Sequence, residues 1–439
     1  MHRPADIASA LATVFLADVL DAQGMAKRGA QLLGRRWRWL LPLARRACME
    51  FGDRPPPRQR VLAQFIACDD GFHRACQNEA IKIIDRVAAK PEMRKVGVAN
   101  AWDVPTIRTT GELAAWLCVT MRNLEWYADR GDLNGKQSTL ALRHYHYRVL
   151  AKCAEQIRLI EAPKLQLKRL QRQILTGVLE RIPVHDAAHG FRRGRSIKTF
   201  AAPHVGKDVV LRLDLKEFFP SIRAARVQAL FRTAGYPERV ADLMAGLCTH
   251  ATPVDVWREA AIDFDDRLRV ARNRYSCRHL PQGAVTSPAI ANLCAYRLDC
   301  RIAGLAGKVG ATYTRYADDL VVSGGADFAR VVKRFGLHIA VIAAEEGFAV
   351  NHRKTRIMRA GVSQHVAGIV VNERLNTHRQ DYDRLKAILT NCVRHGVVEQ
   401  NREHHGDFQA HLRGRISFVE SINASRGARL QAIFERISW

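Results

Sequence analysis

Two adjacent acids inside an apolar run are the residues of this chain best placed to do chemistry. Tyr316-Ala317-Asp318-Asp319 follows Ala311-Thr312-Tyr313-Thr314-Arg315 and precedes Leu320-Val321-Val322-Ser323-Gly324-Gly325. β-Branched and aromatic residues fill both flanks, so the stretch predicts two short strands with the acids at the turn between them. Carboxylates at a hairpin tip can hold divalent cations over a groove, whereas paired acids inside a strand are costly to bury. Alone, such a tetrad is more often an ordinary acidic turn. A third acid changes the weighing. Asp214 closes the hydrophobic run Leu211-Arg212-Leu213, where its carboxylate can emerge at a sheet end. By itself it reads as a helix cap or turn residue; with Asp318 and Asp319 it completes a three-carboxylate set. Phosphoryl transfer uses two divalent ions about 3.5–4 Å apart, one activating the attacking hydroxyl and one stabilising the leaving oxygen. Carboxylates from two strands can clamp both ions and leave positions open for a triphosphate.

The elements that must position these acids sit in a chain of 439 residues, 47% hydrophobic and 26% charged, enough for two or three folded domains with a buried core. Lys and Arg total 69 against 43 Asp and Glu, a formal net charge of +26, which implies a polyanionic partner. No apolar run of about 18 residues is present, so no bilayer span and no membrane partner is expected. Ile7 to Ala17 resembles a signal-peptide core, but Asp6, Asp18 and Asp21 bracket it and Arg3 alone leads it, so an amphipathic helix is expected. The ten cysteines are scattered without a Cys-x-x-Cys pair and read as reduced core residues of a cytosolic protein.

Residues 1 to about 100 read as basic helices, one carrying Arg35-Arg36-Trp37-Arg38-Trp39-Leu40, which fits either a nucleic-acid-facing helix or a core helix with snorkelling arginines. Asp53-Arg54-Pro55-Pro56-Pro57-Arg58 marks a linker or sharp turn, and a second helical stretch runs from about Cys68 to Ala89. Thr110 to Asp129 predicts one amphipathic helix, His146 to Ile160 a hairpin, and Ala162 to Ile182 a helix studded with Lys164, Lys168, Arg169 and Arg172. Val209 to Leu215 is a strong strand, with a helix beginning near Arg226 and another over Pro288 to Leu305. Val331 to Glu346 is helical, Phe348 to Val350 and Val366 to Val371 read as short strands, and the last sixty or so residues are helical and basic. Strands and helices mixed around hairpins indicate an α+β fold and not a doubly wound sheet.

Leu280-Pro281-Gln282-Gly283-Ala284-Val285-Thr286-Ser287-Pro288 opens a helix, which capping chemistry alone would explain. Its order between the other two segments is more specific. Asp214 with Phe218-Phe219, then Pro281-Gln282-Gly283 with Thr286-Ser287-Pro288, then Tyr316-Ala317-Asp318-Asp319 resemble motifs A, B and C of reverse transcriptases. Ile160-Glu161-Ala162-Pro163-Lys164 resembles the fingers, and Ala188 to Ile197 the segment before motif A. Asn351 with Lys354-Thr355 resembles motif D, Val366-Ala367-Gly368 the start of motif E, and Gly414 to Val419 the thumb helix. The resemblance covers about residues 105 to 439. It is nearest to bacterial retron enzymes, with two departures: Phe200 stands where they usually carry Asn in Asn-Ala-x-x-His, and Ala367 where they usually carry Thr in Val-Thr-Gly.

This resemblance implies a right-hand polymerase: a helical extension over 1–100, fingers over 101–205, palm over 206–372 with fingers segments, and thumb over 373–439. It implies two Mg²⁺ ions on Asp214, Asp318 and Asp319, with Lys354 as a general acid for pyrophosphate. Phe219, five residues after Asp214, matches the gate against a ribose 2′-OH, and Gln282 the contact to the incoming dNTP, although a core Phe and a turn residue are the plain alternatives. Arg158 and Lys164 are candidate triphosphate contacts. Arg192, Arg193, Lys168 and Arg172 are candidate RNA contacts, and His204 is a candidate for an RNA contact or for holding structure. The expected activity copies a structured non-coding RNA into DNA from a 2′-OH primer, giving a branched RNA–DNA product for antiphage defence in a bacterial cytoplasm. Any effector protein is expected as a separate chain or as the N-terminal extension. An intron-like or other defence-associated reverse transcriptase, a template-independent DNA polymerase and a catalytically silent RNA-binding scaffold are the competing readings.

Overall fold

The computed structural model describes residues 3–18, 20–52, 56–84, 92–131, 133, 142–152, 156–257 and 266–439. The chain divides into two compact units, one of Met1–Pro183 with Ile222–Ser287 and one of Val184–Ser221 with Pro288–Trp439.

The first unit opens with five helices, Pro4–Phe15, Ala22–Leu32, Leu40–Phe51, Gln59–Ala67 and Asp70–Asn78. Asp21 and Asp69 cap two of them by accepting from the Gly24 and Phe72 amides. Leu11, Phe15, Met25, Leu43, Leu62, Ile66 and Phe72 close a core of their own. The stretch expected to be helical from Cys68 to Ala89 ends at Asn78, and its last residues lie outside the described ones. Trp39 packs on Phe72 with ring centroids 5.5 Å apart, the Arg35 guanidinium lies 3.6 Å over Trp37, and Arg36 and Arg38 face solvent. Strands β1 (Tyr145–Lys152) and β2 (Gln156–Pro163) form the expected hairpin. The following helix starts only at Leu165, because Ala162 and Pro163 are still paired to His146 and Tyr145. Thr110 to Asp129 is two helices, Thr110–Trp116 and Met121–Ala128, because Cys118 adopts φ 55° and the Thr120 hydroxyl caps a new start at Met121 by accepting from the Asn123 amide.

The second unit is built on an antiparallel sheet of order β4–β5–β3–β6: β3 (Val209–Asp214), β4 (Thr312–Tyr316), β5 (Asp319–Gly324) and β6 (Arg356–Arg359). Side chains alternate across it, as strand geometry requires. Val210 and Val321 join Phe200, Val366 and Ile369 on one face, and the Tyr296–Lys308 and Ala326–Glu345 helices pack against the sheet. A small sheet of β7 (His365–Val366), β8 (Ile369–Val370) and β9 (Asn376–Thr377) follows. Ala367 and Gly368 make its turn, both at positive φ, which suits a tight hairpin. The expected strand at Phe348–Val350 reduces to one bridge, Val350 to Leu215, and the real edge strand β6 was not foreseen. Helices Arg379–His395, Phe408–Ile422 and Ala424–Phe434 pack around Leu385, Leu389, Leu412, Ile416 and Phe434. The described cysteines are free thiols, and no helix among the described residues is long and apolar enough to cross a membrane.

Candidate active site

Strand pairing alone brings the three acids of the second unit together. Asp214 at the end of β3 lies directly opposite Asp319 at the start of β5. Tyr316 also pairs with Asp319, which leaves Ala317 and Asp318 as a two-residue turn. The Leu215 amide donates to the Asp318 carbonyl at 2.9 Å, and the Asn351 amide to the Asp214 carbonyl at 2.7 Å. Ala317 takes φ 55°, a backbone that costs a side-chain-bearing residue about 1–2 kcal/mol.

The charges are tightly coupled. Burial raises the Asp318 pKa, and the nearby Asp214 and Asp319 charges push the same way against its backbone hydrogen bond and Lys354. The Asp214 carboxylate accepts from Lys354 Nζ at 2.9 and 3.1 Å and from Asn351 Nδ2 at 3.3 Å. Asp319 receives the Arg212 guanidinium through Nη2 at 2.9 Å to each oxygen. Among the described residues, no three His, Cys, Asp or Glu side chains converge as a ready-made ion site, since Asp214 and Asp319 are turned to Lys354 and Arg212. The donor set itself fits a divalent ion: three carboxylates offer only hard oxygen ligands, and a cation offsets both the burial and the repulsion that raise the Asp318 pKa.

Beneath the turn lies a group that sequence reasoning missed. Arg315 is fully buried, and its guanidinium donates to both oxygens of buried Asp299 (2.8 and 2.7 Å), to Asn292 Oδ1 (3.1 Å) and to the Ala317 carbonyl (3.1 Å). Tyr313 donates to Asp299 at 2.7 Å, and Asn292 Nδ2 to the Gly190 carbonyl at 2.8 Å. Gly190 is required by close approach: a Cβ there would sit 2.7 Å from the Ala317 nitrogen. The available signal was a lone cation in an apolar strand, but its partner Asp299 is set by packing and not by spacing.

Phe219 is half-buried, with its ring 5.6 Å from Phe218 and 6.0 Å from Phe191; Phe218 is the one in the core. Arg193 is exposed, and Arg192 pairs with Asp186 at 3.4 Å. His204 corrects the expectation of an RNA contact. It is fully buried, with Nδ1 2.6 Å from Ser323 Oγ and Nε2 2.7 Å from Thr314 Oγ1, so its ring locks β4 and β5 and has no face for RNA.

The first unit gathers a second group. The Gln282 carbonyl accepts from the Glu161 amide at 2.8 Å, which sets the Pro-Gln-Gly turn against β2 between Arg158 and Lys164. Gly283 has φ 130°, and a Cβ would meet the Glu161 carbonyl at 2.9 Å. Below them, buried Glu161 accepts from His279 Nε2 at 2.9 Å and Thr252 Oγ1 at 2.7 Å. Lys164 stands at the N-cap position of the Leu165–Gly177 helix without a side-chain capping bond, and on that helix Lys168 and Arg172 are exposed one turn apart.

Residues 150–386 match the family model of reverse transcriptases (RNA-dependent DNA polymerases). The chain is 40% identical over 329 residues to the retron Mx65 reverse transcriptase of Myxococcus xanthus, covering 75% of this chain and 72% of that protein. The chain belongs to the retron reverse transcriptases. The retron Ec86 reverse transcriptase of Escherichia coli is 30% identical over 296 residues, 66% of this chain and 80% of that protein. Among solved structures, a foamy viral protease-reverse transcriptase in complex with double-stranded DNA shares 13% identity over 68% of this chain and 44% of that one, at a TM-score of 0.33. This reverse transcriptase is an RNA-directed DNA polymerase of the retron type with the α+β right-hand fold. Reverse transcriptases as a family use divalent metals.

Proposed function

We propose that this retron reverse transcriptase joins nucleotides by a two-metal reaction, with two Mg²⁺ ions held by Asp214, Asp318 and Asp319. The observation that carries this reading is the register of Asp214 against Asp319 with Asp318 at the turn beside them, its pKa raised by burial and then by both charges. Bound there, the ions supply Lewis-acid activation of the primer hydroxyl and charge stabilisation for the leaving pyrophosphate. Lys354, already on Asp214, gives that pyrophosphate a proton. Phe219 excludes the ribose 2′-OH, and Gln282, Arg158 and Lys164 hold the incoming dNTP. The exposed Lys168, Arg172 and Arg193, with Arg192, follow RNA phosphates. In this assignment residues 101–205 are fingers, 206–372 palm and 373–439 thumb, with 1–100 an extension.

The template is a dedicated structured non-coding RNA, primed from one of its own 2′-OH groups, and the branched RNA–DNA product serves antiphage defence in the bacterial cytoplasm beside a separate effector protein. Purified protein with Mg²⁺, dNTPs and its co-purifying RNA should extend DNA, and Asp318→Ala should not. Sequencing that nucleic acid should return a branched RNA–DNA species. Ordinary cellular RNA alone, or an active Asp318→Ala, overturns the reading.

A further inference from the structure

We propose that Arg315 is a positioning residue for the reaction: its buried guanidinium fixes the turn that presents Asp318. The inference rests on Asp318 being a metal-holding acid. The turn needs an external hold, because Ala317 sits at φ 55°, and a strained residue persists only where its surroundings over-determine it. Of the side chains around it, Arg315 reaches the turn itself, donating to the Ala317 carbonyl at 3.1 Å. That same guanidinium is fixed in plane by Asp299 at 2.8 and 2.7 Å and by Asn292 at 3.1 Å. Asn292 passes the constraint to Gly190, which packs so close to the turn that an added Cβ would sit 2.7 Å from the Ala317 nitrogen. Phe218, next to Phe219, lies with its ring 5.8 Å from the same guanidinium.

Stability does not explain such an arrangement. A fully buried ion pair contributes little net over apolar packing of similar volume, whereas a planar fork of donors confers geometric definition. Lysine at this position would keep the charge and could satisfy Asp299, but a point donor cannot also span Asn292 and the Ala317 carbonyl.

The test compares the full-length parent with Arg315→Lys, Asn292→Ala, Tyr313→Phe and Asp318→Asn. Mn²⁺ binding without nucleotide is followed by electron paramagnetic resonance, and primer extension supplies kcat and KM for dNTP. Arg315→Lys should weaken Mn²⁺ binding at least fivefold and lower kcat at least tenfold, with KM within twofold. Asn292→Ala, which removes one hold on the fork and leaves the ion pair, should weaken Mn²⁺ binding about threefold. Tyr313→Phe removes a bond to Asp299 but none to the turn, so it should lower the melting temperature and leave Mn²⁺ binding within twofold. If Arg315→Lys does not fold, the contrast between Asn292→Ala and Tyr313→Phe decides. Parent-like Mn²⁺ binding in Arg315→Lys or Asn292→Ala, or an equal loss in Tyr313→Phe, overturns the inference. An Asp318→Asn protein that still extends primers and binds Mn²⁺ overturns instead the reading of the site on which it rests.

Discussion

At the scale of single residues, Asp318 and Phe219 separate function from stability. Folding raises the Asp318 pKa, so above that value the folded state carries a charge it disfavours, and stability falls as pH rises through the window between the ordinary carboxyl pKa and the raised one. Asp318→Asn should therefore melt at or above the parent's temperature at pH 7.5, with the gap closing as the pH is lowered and Asp318 protonates in the parent. The same variant should lose about 100-fold or more in extension rate, the scale of removing one preorganised electrostatic group. A variant that melts well below the parent at pH 7.5 contradicts the first half. Phe219 is half-exposed between Phe191 and Phe218, so truncating it opens space without emptying the core. Phe219→Ala should cut the preference for dNTP over rNTP by about 10–200-fold, the range that shape alone supplies in a pocket. Matched kcat/KM values for the two nucleotide types check it, and unchanged discrimination removes Phe219 as the gate.

At the scale of elements, what the sequence revealed is what local periodicity controls. The β4–β5 hairpin, β3 and the β1–β2 hairpin were legible because β-branched and aromatic runs bounded by turn residues need no distant partner to be recognised. The break at Cys118, the start at Leu165 and the edge strand β6 were not: the first is fixed by a cap, the second by how far the neighbouring hairpin's pairing runs, and the third by pairing with a strand far along the chain. The same division runs through the site. The three acids could be named from their strand ends, but neither the burial of His204 nor the Arg315–Asp299 pair could, since both depend on which helices cover the sheet. Gly190 belongs here too, as the point where the segment before β3 runs under the β4–β5 turn. Gly190→Ala places a methyl 2.7 Å from the Ala317 nitrogen, so the turn must shift. Extension should fall about tenfold or more while circular dichroism stays that of the parent; parent-like activity shows that the turn tolerates displacement.

At the scale of the whole molecule, two bulk properties have measurable consequences. Burial, with nearby cations, holds His144 and His189 down to about 4 and His204 to about 3, and lowers His250 well below its usual value. Each is neutral when folded but protonates near pH 6.5 when unfolded, so the unfolded chain binds more protons below that pH. Their stabilising contribution is complete above about pH 6.5 and is lost as the pH falls toward 4 and 3. Melting temperature should accordingly drop in steps from pH 7.5 to 6.5 to 5.5, most steeply over the last interval, and a flat profile rules this out. The net charge of +26 predicts RNA affinity that falls linearly on a log–log plot against salt. Lys168→Ala and Arg172→Ala should each reduce that slope by about one if they meet phosphates, whatever the RNA sequence. An unchanged slope removes them from the interface.

The central position of β3 has a consequence for when this protein becomes active. Both neighbours of β3, β5 and β6, come later in the chain, and Asp319 follows Arg212 by 107 residues. A ribosome therefore releases Asp214 well before the strand that will face it, and the hairpin bearing the other two acids can close locally while β3 still waits. The three acids can therefore meet only after β5 has been made, with β3 captured between two strands that follow it.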